Sequence, residues 1–316
     1  MTRNQKLTTY TRQLKPTEGQ LLRQVLDQHG FEFYQVPYAQ FAARKPGVTV
    51  TLYQSGKLVV QGKGTREFVE FVLEPEVLFQ AELGYEAVHH PEWFEPHIGI
   101  DESGKGDVFG PLCVAAVYIS PETAQEFFAQ GVKDSKRIGS RKTLSDLAKQ
   151  IRNTSGCVYD LVVIGPEAYN RLVEKIGNVN RLLAWGHARA LENLLEKKGS
   201  ELHPPPNFAI SDQFASSRRV VELALMPQGR ELKLIQRTKA ESDPAVAAAS
   251  ILAREEFLRR LDQLSARFGI RFPRGAGPAC EEALREFVEK YGRKQLSRVA
   301  KIHFANVRHL LENEGM

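Results

Sequence analysis

Residues 97–112 read HIGIDESGKGDVFGPL: four largely apolar residues, then Asp101-Glu102, then the glycine-rich run Ser103-Gly104-Lys105-Gly106-Asp107. An apolar strand that ends in two acids and a tight turn belongs to an α/β sheet, where ligands bind at the carboxyl ends of strands. Carboxylate oxygens suit hard cations such as Mg²⁺ and Mn²⁺, which makes Asp101 and Glu102 candidate metal ligands. Successive strand residues point to opposite faces, so the two acids share a site only if the strand twists or breaks there, as the glycines allow. The same stretch is one residue short of a phosphate-cradling loop, G-x-x-x-x-G-K-[ST], running from Gly99 to Gly106. Gly106 stands where that loop needs a hydroxyl for Mg²⁺, the two acids repel phosphate, and Gly110-Pro111 disrupts the helix that should follow. These three features argue against a nucleotide triphosphatase.

Downstream, strand patterns are expected over 108–119, interrupted by Gly110 and Pro111, and over 156–164, 207–210 and 232–236. Helical periodicity covers 140–153, 165–175, 178–198, 245–268, 279–290 and about 295–312. Strands alternating with helices predict an α/β fold, a sheet with helices on its faces. Two further acids follow strands: Asp212 after 207–210, and Glu241 after 232–236, with Asp243 two residues on as the alternative to Glu241. Four carboxylates converging in space could hold two divalent ions about 4 Å apart for an in-line phosphoryl displacement. They would also repel one another without metal, which favours binding it. Ala245, Ala247, Ala248, Ala249 and Ser250 are small enough to let a helix lie close on a sheet, as ordinary helix packing also requires. The segment GVKDSKRI, 131–138, sets Ser135 and Lys136 beside Lys133 and Arg137, a group able to hold a phosphate backbone. Eight histidines lack H-E-x-x-H spacing, so no zinc site is expected.

Upstream, the pattern is of shorter elements: a helix over 17–29, strands over 48–53 and 57–61 flanking Gln54-Ser55-Gly56, and an amphipathic stretch over 65–83 that Pro75 should break. Residues 86–96, EAVHHPEWFEP, have two prolines and no periodicity, and read as a linker. The expected organisation is therefore an N-terminal domain over 1–85, a linker over 86–96 and a second domain over 97–316. Through residue 66, ten basic side chains face three acids, a net +7 in a chain whose total is +5. A compact basic segment on a slightly acidic body suggests a module that binds polyanions. With 42% apolar residues in 316 the chain can bury large cores, and its three cysteines are too few and too far apart for a disulfide framework. No apolar run approaches a membrane span and the first residues lack the core of a signal peptide. A cytoplasmic monomer, with no membrane contact and no obligate protein partner, is the expectation.

Taken in order, DESGKGDVFGPL, GVKDSKRI, the aspartate of AISDQF and the segment KAES…AAASILAR resemble the type 2 ribonuclease H family across about residues 97–260. Within it the chain is most similar to the ribonuclease HIII branch, through GKG after the DES, a glutamate in KAES and a preceding N-terminal domain. The resemblance implies a ribonuclease H-like mixed sheet flanked by helices, preceded by a small α/β domain similar to the TATA-binding-protein fold that binds substrate. It implies an endonuclease that cleaves the RNA strand of RNA/DNA hybrids to 5′-phosphate and 3′-hydroxyl ends with two Mg²⁺ or Mn²⁺ ions. Asp101, Glu102 and Asp212 match the metal-binding acids and Glu241 the fourth catalytic acid, with Asp243 still open. Ser103, Gly104, Lys105 and Gly106 match the loop whose backbone reads the ribose 2′-hydroxyl. A nicking activity at single embedded ribonucleotides, as in ribonuclease HII, and a non-catalytic nucleic-acid-binding module are the alternatives.

Overall fold

The structure, a computed structural model, describes residues 7–79, 90–132, 138–213, 219–238 and 240–312. It divides into two compact units, Met1–Phe94 with Ala129–Gly131, and Glu95–Phe128 with Val132–Met316. In the first, β1 (Thr9–Gln13), β2 (Glu32–Tyr34), β3 (Ala39–Lys45), β4 (Val48–Tyr53) and β5 (Lys57–Gln61) form an antiparallel sheet in the order β1-β5-β4-β3-β2. The hairpin between β4 and β5 turns at Gly56, whose φ of +80° and close approach to Leu14 O leave no room for a side chain. Helix Pro16–Gln28 opens with Glu18 accepting from the Lys15 N–H, and it buries Leu22, Val25 and Leu26 against the sheet residues Val50, Leu52, Leu58 and Val60. β1, β2 and β3 carry no apolar alternation long enough to announce them, and pairing with stronger neighbours forms them. Of the 65–83 stretch, expected to break or kink at Pro75, the described part to Leu78 is helical through Pro75 but not a regular α-helix. It begins as an α-helix, Thr65–Phe68, and widens into a π-helix over Val69–Leu78 that contains Pro75. Residues 80–89, including part of the expected linker, lie outside the described residues, and Pro91–Phe94 is a single 3₁₀ turn.

The second unit is built on β6 (His97–Ser103), β7 (Leu112–Ile119), β8 (Val158–Ile164), β9 (Phe208–Asp212) and β10 (Lys233–Arg237), in the order β10-β9-β6-β7-β8. β6, β7 and β8 run antiparallel, whereas β9 and β10 lie parallel to β6, which gives a mixed sheet. The 108–119 strand is corrected to Leu112–Ile119, because Gly104 and Gly110 have positive φ and the chain between them loops away from the sheet. A helix absent from the sequence reading, Pro121–Gln130, follows β7. The helix expected over about 295–312 is two pieces, Arg293–Arg298 and Ala305–Glu312. Between them the backbone is spent elsewhere: Lys301 N–H donates to Val108 O, and Val299 O accepts from Gly110 N–H.

The long helix Pro244–Phe268 lies directly on β6 and β7. A side chain at Gly99 would meet the backbone of Ala245 and Val246 at 2.2 Å, so glycine there and alanine opposite set the distance between helix and sheet. The helix starts at Asp243, whose buried carboxylate caps the N–H groups of Ala245 and Val246 and pairs with the fully buried His97 at 3.1 Å. Burial pulls the His97 pKa down, but the hydrogen bond and charge of Asp243, with the Glu95 carbonyl on Nδ1, outweigh it and the net shift is upward from 6.5. The folded protein therefore holds this proton more tightly than the unfolded chain. The pair's proton-linked contribution is complete below pH 6.5 and is lost as the pH rises through the folded value. Thermal unfolding of His97→Gln against the parent should show a deficit of about 1–3 kcal/mol at pH 5.5 that shrinks by pH 9.

Candidate active site

β6 and β9 are parallel neighbours whose pairing ends with Ile100 opposite Ser211, so the next residues, Asp101 within β6 and Asp212 at the end of β9, follow side by side. Glu102 follows on β6, still paired with Val114 of β7. Glu241 sits in the turn Ala240–Ser242, and the turn is tied to the same strand end because Ala240 N–H donates to Asp212 Oδ1 at 3.4 Å. The backbone positions of the four acids expected from the sequence thus lie towards one end of the sheet, with β6 continuing unbroken through Asp101 and Glu102. Asp243 does not join them, since capping and His97 occupy its carboxylate inside the protein. Ser135 and Lys136 lie outside the described residues.

Three of these carboxylates are held by protein donors. Ser250, on the helix face that meets β6, donates to Asp101, and His187 Nε2 donates to Glu102 Oε2 at 2.8 Å. Asp212 takes the Ala240 amide. Burial, then the charge of Glu102, push the Asp101 pKa up to about 7 against the opposing hydrogen bond from Ser250. Among the described residues no three Asp, Glu, His or Cys side chains meet in ligating geometry. The chemistry of the set nonetheless fits a hard divalent cation: every donor is oxygen, and a cation would relieve the repulsion that raises Asp101.

The expected substrate loop leaves β6 directly. Ser103 is its last strand residue, paired with Cys113. Gly104 has φ +96°, and a side chain there would lie 2.3 Å from Pro111 O and 2.9 Å from the Phe257 ring. Gly106 is different, with open space where a side chain would be. One glycine thus serves the fold and the other leaves a backbone surface free to be approached. Asp107 closes the loop by accepting from Gly275 N–H at 2.7 Å.

Two site residues are not marked in the sequence. His187 lies on the buried face of helix Val179–Lys198 and is 1% exposed. Its periodicity is that of any core position, and only the fold brings it to Glu102. Ser250 reads as one more small packing residue, although it stands among alanines with a hydroxyl that could have been flagged.

Residues 98–307 match the family described as Ribonuclease HII, and residues 11–81 match a Domain of unknown function (DUF3378). Curated relatives named Ribonuclease HIII include one from Chlamydia abortus, 43% identical over 298 residues, covering 94% of this chain and 95% of the relative. Another, from Protochlamydia amoebophila, is 45% identical over 293 residues and covers 92% of each. Among solved structures, Bst-RNase HIII in complex with Mn²⁺ superposes with a TM-score of 0.65 at 29% identity, covering 96% of this chain and 98% of that one. Aquifex aeolicus RNase H3 gives 0.52 at 27% identity, over 93% and 99%.

Because the Asp101 pKa is raised in the fold, the folded protein binds a proton that the unfolded chain releases between pH 3.8 and about 7, and metal-free stability falls as the pH climbs through that window. Asp101→Asn should therefore melt about 2–6 °C above the parent at pH 8 in chelator, with the gap closing at pH 4. Differential scanning calorimetry at the two pH values checks this.

Proposed function

From the premise that the chain belongs to the ribonuclease HII family, in its ribonuclease HIII branch, we propose that Asp101, Glu102, Asp212 and Glu241 form its catalytic centre, the first three holding two divalent ions. The activity itself is that of a ribonuclease H, hydrolysis of the RNA strand of an RNA/DNA hybrid. The observation that carries the assignment of residues is the end of the β6–β9 pairing, beyond which Asp101 and Asp212 follow side by side, with burial and then the charge of Glu102 raising Asp101. The Mn²⁺ bound by the Bst-RNase HIII protein supports a divalent ion of the same class, Mg²⁺ or Mn²⁺, here.

Such ions would supply a water of lowered pKa at the scissile phosphate and neutralise charge on the departing 3′ oxygen. Water oxygen joins phosphorus, the bond from phosphorus to the 3′ oxygen breaks, and that oxygen takes a proton, leaving 5′-phosphate and 3′-hydroxyl ends. The part of this chain is to present the carboxylates. Ser250 fixes Asp101, His187 fixes Glu102, and the Ala240 amide fixes Asp212, so the ligand atoms are oriented before substrate arrives. Glu241, half-buried on a short turn whose Ala240 amide bonds Asp212, would serve as the fourth acid. Choice of RNA belongs to the backbone of Ser103, Gly104, Lys105 and Gly106, which offers groups to the ribose 2′-hydroxyl. Ser135 and Lys136 are assigned to the phosphate backbone. The basic segment through residue 66 adds affinity that is independent of sequence and sensitive to salt. Three free cysteines, Cys113, Cys157 and Cys280, agree with a reducing cytoplasm, and a monomer is the assembly proposed, testable by light scattering.

A labelled hybrid with Mg²⁺ or Mn²⁺ should be cut in its RNA strand by the parent and not by Asp101→Asn, while a duplex with a single ribonucleotide is spared. Cutting at the single ribonucleotide would move the specificity to the ribonuclease HII type, and binding without cutting would leave a binding module. Gly106→Ala should fold normally yet raise KM about tenfold by blocking approach to the loop, whereas Gly104→Ala should lower Tm through collision with Pro111. Deleting residues 1 to about 90 should weaken substrate binding far more than turnover at saturation; equal KM values at physiological salt would refute the role of the basic segment.

A further inference from the structure

Lys301 is 0% exposed, an unusual position for an ammonium group. Its Nζ donates to two backbone carbonyls, Asp107 O at 2.8 Å and Gly110 O at 2.9 Å, and lies 5.4 Å from the centre of the Tyr169 ring. Among the described residues no side-chain carboxylate reaches it at hydrogen-bond distance; the Asp107 carboxylate is near enough to help by charge, but its Oδ1 accepts from Gly275. Burial pulls the Lys301 pKa down to about 8. A buried cation without a hydrogen-bonded counter-ion is costly, and a leucine or methionine would fill the same space without that cost. What an apolar residue cannot do is satisfy two inward-facing carbonyls.

Those carbonyls bracket the far half of the loop that begins at Gly104. The rest of the same segment is braced from the same side: Gly110 N–H donates to Val299 O, Lys301 N–H donates to Val108 O, and Phe109 bridges to Ala300. The bracing strip is pinned in turn by Asn170, whose amide donates to Ser297 O and Ala300 O and accepts from Ile302 N–H. The loop is therefore shaped from behind by this strip. We propose that Lys301 is a positioning residue for substrate: by gathering the carbonyls of Asp107 and Gly110 it fixes the turn that presents the backbone of Gly104, Lys105 and Gly106 to the ribose 2′-hydroxyl. The proposal rests on the reading of that loop as the element that contacts the RNA strand.

The test is Lys301→Met in the full chain, with Lys301→Gln and Gly106→Ala beside it, assayed on an RNA/DNA hybrid with Mg²⁺. Methionine fills the space and donates nothing; glutamine loses the charge but keeps an amide that can reach a carbonyl. Lys301→Met should raise KM about tenfold with kcat changed less than about threefold, while its Tm and the upward shift of Tm by Mn²⁺ stay close to the parent's. Lys301→Gln should recover most of the lost affinity. A lysine that merely supports the fold would instead give a lowered Tm in both variants with KM following it, and that result overturns the proposal even if Lys301→Met is too unstable to assay. If Gly106→Ala raises KM and Lys301→Met does not, the loop reading stands and the role of Lys301 falls. If Gly106→Ala leaves KM unchanged, the loop does not contact the RNA strand and both fall.

Discussion

The second unit depends on how closely one helix can lie on one strand. Gly99 has no side chain and Ala245 has only a methyl, so the first turn of Pro244–Phe268 rests on the backbone of β6. Several of the groups around the strand ends are registered to that contact. It places Ser250 at Asp101, sets the Ala240–Ser242 turn beside Asp212, and brings the Phe257 ring beneath Gly104 and Gly110. The His97–Asp243 pair locks the contact at its start, using one carboxylate both to cap the helix and to hold a strand residue. Dense packing transmits small shifts, so a helix displaced here would move two of the groups that hold the carboxylates and the ring that supports the glycine loop.

This arrangement also separates two kinds of acid that look alike in the chain. Glu241 and Asp243 are two residues apart, both follow a strand and both precede the same helix. One lies half-buried on a turn, and the other is sealed inside the protein by a histidine 146 residues away. Asp101 is buried in the folded sheet next to the charge of Glu102, and both raise its pKa. Stability is given up where a cation is to be received, a common cost of a functional site.

Much of the architecture was legible because it is local. The strand and turn of HIGIDESGKG, the hairpin at Gln54-Ser55-Gly56 and the long helix after Asp243 all follow from neighbouring residues, and the structure places them within a few positions of expectation. β1, β2 and β3 were not legible, since short strands with little alternation form only against partners. The helix expected over about 295–312 failed for a related reason: Val299 and Lys301 give their backbone bonds to the loop around Val108 and Gly110, a demand that no nearby residue reveals. His187 and Lys301 were hidden in the same way. A buried histidine or lysine looks like a packing residue or a surface charge until a partner 85 or 191 residues distant is brought to it.

The separation of Lys301 from the loop it braces also has a consequence in time. Asp107 and Lys301 are 194 residues apart, and a ribosome adding about 5–20 residues per second needs about 10–40 s to travel between them. During that interval β6, β7 and the glycine loop can already exist outside the ribosome, together with Asp101 and Glu102. The strip that shapes the loop does not. A growing chain, held beside messenger RNA throughout its synthesis, thus carries Asp101 and Glu102 well before it carries the strip that shapes the glycine loop.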